Sequence, residues 1–343
     1  MRNKLNGILR GWRGRYSGTV LVRWGNEAPI SFVDGYAHRG FEIRNAMDTL
    51  FDTASVTKVF TAAAIVQLVE RGLLRLEDRI ADVIDLAGTK IHRDVRIEHL
   101  LTHTSGIADD ADEESGEDYA ALFVDKPNYS IRECRDFLPQ FAHKAPYFAA
   151  GTNVRYNNCA FVLLGLAIEE VAGIGYREYI AEHIFRAHNM TRSHFCAMDE
   201  VYANVAEGYV CEADDRWRKN IYSYPPIGTA DGGAHTTVGD LERFLRAAAQ
   251  NETLNRPHCA HSRPHKYGIW RTGYGFEFVE DGNGDVLCMY KEGVNVGVEA
   301  MCAYYPAQDA TVCLLSNVNG RLFGLHSEIE EMLISGATEW WGG

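Results

Sequence analysis

The sequence has no apolar stretch approaching the ~20 residues that cross a bilayer. Residues 1–15, punctuated by Arg2, Lys4, Arg10, Arg13 and Arg15, hold no apolar run long enough for a secretory leader. A cytoplasmic protein is the expectation. The 8 cysteines (Cys134, Cys159, Cys196, Cys211, Cys259, Cys288, Cys302 and Cys313) include no C-x-x-C pair. That argues against a zinc knuckle or a disulfide framework and for reduced, mostly buried thiols. Basic residues are scarce: Lys plus Arg is 34 against 47 Asp plus Glu, a formal charge of −13. Such a balance disfavours nucleic acid or an anionic membrane as partner. There is no G-x-S-x-G elbow, which counts against an α/β-hydrolase, and no internal repeat, low-complexity tract or long linker.

What is present is ordinary globular material, 46% hydrophobic and 24% charged over 343 residues. A single core stops growing at roughly 250–300 residues, so two lobes are expected. Residues 18–23 and 29–34 read as a hairpin across Asn26-Glu27. Val56 to Arg71 reads as a helix buried on much of its circumference, closed by Gly72. Residues 90–235 are richer in helical patterns, including Asn158 to Ala172, and carry an acidic run over 109–118. Strand patterns return at 274–279, 286–290, 299–305 and 310–316, before a closing helix over 321–337. The predicted class is α+β: an antiparallel sheet flanked by N- and C-terminal helices, with a mostly helical inserted lobe. The sheet domain would take 1–90 and 236–343, the lobe 91–235, and the active site the space between them.

Ser55-Val-Thr-Lys58 is the chemical signal. Residues i and i+3 of a helix share a face about 5–6 Å apart, so the lysine amine can reach the serine hydroxyl. That hydroxyl is a weak nucleophile and needs a proton acceptor. A lysine serves if burial or a neighbouring cation depresses its pKa. A serine at a helix start also has backbone N–H groups at hand for a developing oxyanion. Of the serines, only Ser55 has lysine at +3, and Lys58 sits in an apolar turn where an unpaired charge is costly.

With Thr53 to Ala62 and Gln67 to Asp78, this element resembles the serine β-lactamase and penicillin-binding-protein superfamily, nearest the branch of class C β-lactamases, family VIII esterases, D-aminopeptidases and D-amino-acid amidases. His99 to Ile107, Gly151 to Gly173 and Gly232 to Asp240 fit in order, so the resemblance covers nearly the whole chain. It implies a Tyr-x-Asn element, for which Tyr156-Asn-Asn158 and Tyr202-Ala-Asn204 compete. The first, followed by a helical pattern, is chosen. Tyr156 would take the serine proton with Lys58, its pKa lowered by the nearby ammonium. Asn158 would bind Lys58 and the substrate amide. The resemblance also implies a Lys-x-Gly element on a strand, either Lys266-Tyr-Gly268 or Lys291-Glu-Gly293. The second, followed by a hairpin, is chosen, and the Val294 N–H would join that of Ser55 as oxyanion hole. Gly293 would let substrate approach the strand closely.

Glu292 departs from the family, which usually carries Thr or Ser there to help bind a substrate carboxylate. A glutamate repels that group, so a neutral ester or a substrate with a free amine is favoured, and the 109–118 loop would add to the attraction. A solvated loop and an arginine-paired Glu292 are the structural alternatives. The expected function is a serine hydrolase acting through a Ser55 acyl-enzyme, an esterase or a D-amino-acid amidase or aminopeptidase. A β-lactamase or DD-carboxypeptidase, or a non-catalytic penicillin-recognising module, is the alternative. The partner would be a small ester or amide, with no nucleic acid, membrane, metal or cofactor. The cluster His258, Cys259, His261 and His265 reads as a surface loop, His103 and His235 as structural, and Gly282 to Asp285 as a hairpin turn.

Overall fold

The computed structural model describes residues 1–213 and 216–338. The alternating segments assemble into one eight-stranded antiparallel sheet. Its strands are β1 (Gly18–Trp24), β2 (Ile30–Asp34), β3 (Ser262–His265), β4 (Gly268–Thr272), β5 (Glu277–Glu280), β6 (Val286–Asn295), β7 (Val298–Tyr305) and β8 (Ala310–Ser316). They lie in the order β2-β1-β8-β7-β6-β5-β4-β3. β1, from the start of the chain, pairs along its length with β8, with Gly18 opposite Ser316 and Trp24 opposite Ala310. The longer helices are α1 (Arg2–Gly11), α2 (Thr57–Glu70), α3 (Asn158–Ala172), α4 (Val238–Gln250) and α5 (Leu322–Thr338).

β8 shows why both faces of the sheet are covered. It is buried throughout, and its side chains alternate between two cores. Val312 and Leu314 join Leu5 and Leu9 of α1 and Leu325 and Ile329 of α5. Cys313 and Leu315 face the other way, into the core shared with α2, α3 and α4. There Phe60 of α2 meets Phe244 and Phe185 edge-on. Each such side chain is worth about 1.5–3 kcal/mol in transfer from water.

α2 is buried on all sides from Thr57 to Val66, which fits its lack of any polar face. It ends in a Schellman pair: Gly72 N–H reaches the Val69 carbonyl and Leu73 N–H the Leu68 carbonyl, with Gly72 at φ +71°. Two departures from expectation matter for the site. The 258–265 segment is not all loop, since residues 262–265 form the outermost strand, where Pro264 is tolerated because one side needs no partner. β6 runs on past Tyr290 to Asn295, so Lys291 to Val294 belong to the sheet. β5 starts only at Glu277, because Gly273 N–H closes a tight turn onto the Phe276 carbonyl.

None of the 8 cysteines forms a disulfide, and all except Cys211 are buried. Among the described residues no single helix is long and apolar enough to cross a membrane. The pair Asn158–Ala172 and Tyr176–Phe185 passes by length and composition together, but is bent by 80° and supplies core residues.

Candidate active site

Ser55 is presented by a strained turn. Ala54 before it has φ +43°, a left-handed conformation that costs an alanine on the order of 1 kcal/mol or more. Two contacts hold it: Ala54 N–H donates to the Asp52 carboxylate at 2.7 Å, and its carbonyl accepts from Gly233 N–H. Ser55 is thereby half-buried, facing open space, while one turn on Lys58 is wholly buried. The Lys58 ammonium is satisfied by three acceptors: Ser55 Oγ at 3.0 Å, Asn158 Oδ1 at 2.8 Å and the Asp231 carbonyl. Burial lowers its pKa to about 8; the Asp231 carboxylate works against the shift and the Lys291 cation works with it.

Tyr156 and Asn158 arrive at the start of α3. Asn157 caps that helix, accepting from Ala160 N–H, and the buried Asp109 carboxylate accepts from the N–H groups of Asn158 (2.8 Å) and Cys159 (3.0 Å). A carboxylate there also complements the helix dipole. Tyr156 Oη stands 2.6 Å from Ser55 Oγ and 3.1 Å from Asn158 Oδ1. The expected fall in the Tyr156 pKa is corrected: burial, then the Glu113 carboxylate, pushes it well above the usual phenol range. The phenol stays neutral although the Lys58 and Lys291 ammonium groups lie 5.2 and 4.9 Å from its ring centre. Desolvation outweighs the two cations. The Asn158 amide is also differently placed from expectation, for its Nδ2 donates to Glu113 at 2.9 Å rather than standing wholly free for substrate.

Lys291 of β6 reaches the same group. It is almost fully buried and paired with Glu277 of β5 at 2.7 Å. Glu277 is held below its usual range by that cation, which overcomes its own burial. Gly293 is where the strand passes the serine: a Cβ there would stand 2.3 Å from the Thr53 carbonyl and 2.9 Å from the Ser55 nitrogen. Only glycine permits that approach. Ser55, Glu113 and Val294 line two adjoining cavities, one of about 870 Å³ and one of about 430 Å³. Glu292 lines the smaller. It is exposed there and, among the described residues, forms no ion pair, so the arginine-paired alternative falls away.

The competing motifs form no hydrogen bond with this group, although Tyr202 lines the larger cavity. Tyr202 bonds Glu200, and Asn204 bonds Asp48. Lys266 lies in the turn between β3 and β4 with its ammonium over the Tyr267 ring. His258 stacks on Tyr274 at 3.7 Å and does not converge with Cys259, His261 and His265. Asp109, Asp110 and Cys159 do converge, buried beneath α3, but the Asp109 oxygens are committed to backbone N–H groups. His235 is part of a two-residue strand against Asp52. The acidic run is not simply solvated. Asp109 and Asp110 are buried, Glu113 holds Asn158, Asp112 pairs with Arg155, and Glu114 pairs with Arg263 and accepts from Tyr156 N–H.

Three residues of this constellation carry no motif of their own: Glu113, Glu277 and Asp231. Glu113 was visible only as one carboxylate among many. Glu277 required the register that sets it opposite Tyr290, the chain neighbour of Lys291.

Known proteins share this architecture. Penicillin-binding protein 4* of Bacillus subtilis (strain 168) is 29% identical over 72% of this chain and 55% of its own length. The chain spans about half the length of the curated relatives it matches. The crystal structure of a penicillin binding protein from Bacillus halodurans superposes with TM-score 0.89 at 35% identity, covering 96% of this chain and 99% of that one. The D-amino acid amidase of Ochrobactrum anthropi SV3 shares the fold at TM-score 0.76 and 19% identity, with 99% of each chain covered. The family model described as Beta-lactamase matches residues 9–334, nearly the whole chain, and the protein belongs to the beta-lactamase family.

Proposed function

We propose that the protein is a serine hydrolase that opens an ester or amide through a covalent acyl-enzyme on Ser55. The observation that carries this reading is the buried Lys58 amine, 3.0 Å from Ser55 Oγ, with its pKa brought down to about 8. An appreciable fraction of it is neutral near pH 7–8 and free to accept the serine proton. Oγ then attacks the carbonyl carbon, and the N–H groups of Ser55 and Val294 receive the oxyanion. Tyr156, kept as a neutral phenol 2.6 Å from Oγ, relays a proton between the serine, Lys58 and the departing group. Water, deprotonated by the same amine, releases the acyl group.

The substrate is an ester or amide whose acyl part bears a free amine, as in a D-amino-acid amide. Glu113 and Glu292 both line the smaller cavity beside Ser55, and no arginine neutralises Glu292. The same carboxylates disfavour the substrate carboxylate of penicillins and of D-alanyl-D-alanine peptides. The similarity in fold to a D-amino acid amidase is consistent with this choice. A simple esterase is the second reading, favoured by the apolar wall of the larger cavity (Met198, Val201, Ile227).

The test compares initial rates on D-alanyl p-nitroanilide with the amine free and acetylated, for the wild type and for Ser55→Ala. Preference for the free amine, abolished in Ser55→Ala, is expected. Wild-type activity in purified Ser55→Ala would overturn the assignment of the nucleophile, and preference for the acetylated form would leave the esterase.

A further inference from the structure

His103 occupies a position that its surroundings over-determine. Its backbone is left-handed (φ +58°), which a non-glycine residue adopts only when held there. The carbonyl accepts from Arg155 N–H at 2.9 Å, and the ring lies between Tyr156 (4.8 Å) and Phe161 (5.2 Å). Asn157 N–H donates to its Nδ1 at 3.2 Å. A backbone N–H can only donate, so Nδ1 must be the bare nitrogen and the ring proton sits on Nε2. Burial, with Lys291 and Lys58 nearby, keeps the ring neutral by lowering its pKa well below the usual range.

Among the described residues Nε2–H has no hydrogen-bond acceptor, yet it is not sealed in the core, because His103 edges the smaller cavity together with Lys291, Tyr156 and Ser55. A tautomer-locked donor without a protein partner beside the nucleophile is placed to receive an oxygen atom from outside. The acceptor is best a neutral one: Lys291 and Arg263 offset Glu277 and Glu114 in the same cavity, and Glu113 and Glu292 remain to repel an anion.

We propose that His103 Nε2–H is a specificity-determining donor for a second carbonyl oxygen of the substrate, one in the acyl part beyond the carbonyl that Ser55 attacks. This rests on the Ser55 reading above and narrows it to substrates whose acyl part carries a second carbonyl, as a dipeptidyl group with its terminal amine free does. The test pairs two uncharged p-nitrophenyl esters, that of 2-methyl-4-oxopentanoic acid and that of 2-methylpentanoic acid, in which the second carbonyl is a methylene.

The wild type should prefer the first by about tenfold in kcat/KM, mostly through KM, the scale of one neutral hydrogen bond. His103→Phe keeps the ring between Tyr156 and Phe161 but has no donor, and should lose that preference. His103→Gly tolerates the left-handed backbone, has no side-chain donor and serves if the phenylalanine variant does not fold. Equal efficiency of the wild type on both esters, or an undiminished preference in both variants, overturns the proposal while leaving Ser55 as nucleophile. A wild type that turns over neither ester overturns the Ser55 reading and this proposal with it. A kcat loss equal on the two esters would make His103 a support for Tyr156 alone.

Discussion

The Glu113 carboxylate accepts from Nδ2 of Asn158 at 2.9 Å, and that contact decides which end of the amide meets Lys58. With the nitrogen held, Oδ1 is left to accept from both Lys58 and Tyr156. A residue of the acidic 109–118 segment thus orients the hydrogen-bond network around Ser55.

Replacing that carboxylate should have two readouts. Glu113→Gln removes a negative charge from the junction of the two cavities, so the preference for a free-amine substrate over its acetylated form should fall about fivefold or more. Glu292→Gln should act in the same direction. Initial rates on the paired D-alanyl p-nitroanilides measure both, and an unchanged ratio in both variants would remove ammonium recognition from these residues.

The pH profile of kcat/KM should rise with pH through a midpoint near 8 and level off above it, because the neutral form of Lys58 is the working form. Lys291→Met removes a cation that lowers the Lys58 pKa and leaves Glu277 unpaired; both changes favour the ammonium, so the limb moves to higher pH. Glu113→Gln removes a carboxylate that raises the Lys58 pKa, so the limb moves to lower pH. Shifts of the same sign in the two variants would assign the limb to another group.

Gly293→Ala should cost activity out of proportion to stability. Its Cβ meets backbone atoms of Thr53, Ser55 and Val56, none of which can rotate aside. β6 must draw away from the serine turn, pulling the Val294 N–H from the oxyanion position, for a loss of about 10²-fold or more in kcat. Steady-state kinetics beside thermal unfolding separate the two effects.

Asp109→Ala should destabilise the fold by about 2 kcal/mol or more, because the Asn158 and Cys159 N–H groups lose their acceptor inside the protein. The start of α3 frays as a result, and Tyr156 and Asn158 lose register with Ser55. Chemical denaturation gives the first quantity; a variant as stable as wild type would show that Asp109 is not the cap on which α3 depends.

Much of this was legible in the residues, and the reasons are local. Ser55 and Lys58 are one helical turn apart, so their meeting needed nothing but α2. Tyr156 was singled out among two Tyr-x-Asn triples by the apolar helix behind it, and Lys291 among two Lys-x-Gly triples by the hairpin ahead of it; the structure brings both chosen residues to Ser55. What escaped was non-local. The pairing of Lys291 with Glu277 depends on strand register, the bond from Asn158 to Glu113 on how a loop folds back, and the high Tyr156 pKa on burial winning over two ammonium groups. The edge strand β3 was hidden by Pro264, which reads as a breaker until its place at the rim is known.

The pairing of β1 with β8 has a consequence for how the molecule comes into being. Gly18 cannot find Ser316 until everything between them has been synthesised, and among the described residues β2-β1 has no other neighbour on that side. Contacts so distant in sequence close slowly. Helices such as α3 are built from local backbone contacts and can form first, whereas Lys291 and Gly293 reach Ser55 only when the sheet closes. On dilution from denaturant, helical circular dichroism should therefore return well ahead of hydrolytic activity, and the lag between them times the docking of the chain's last strand against its first.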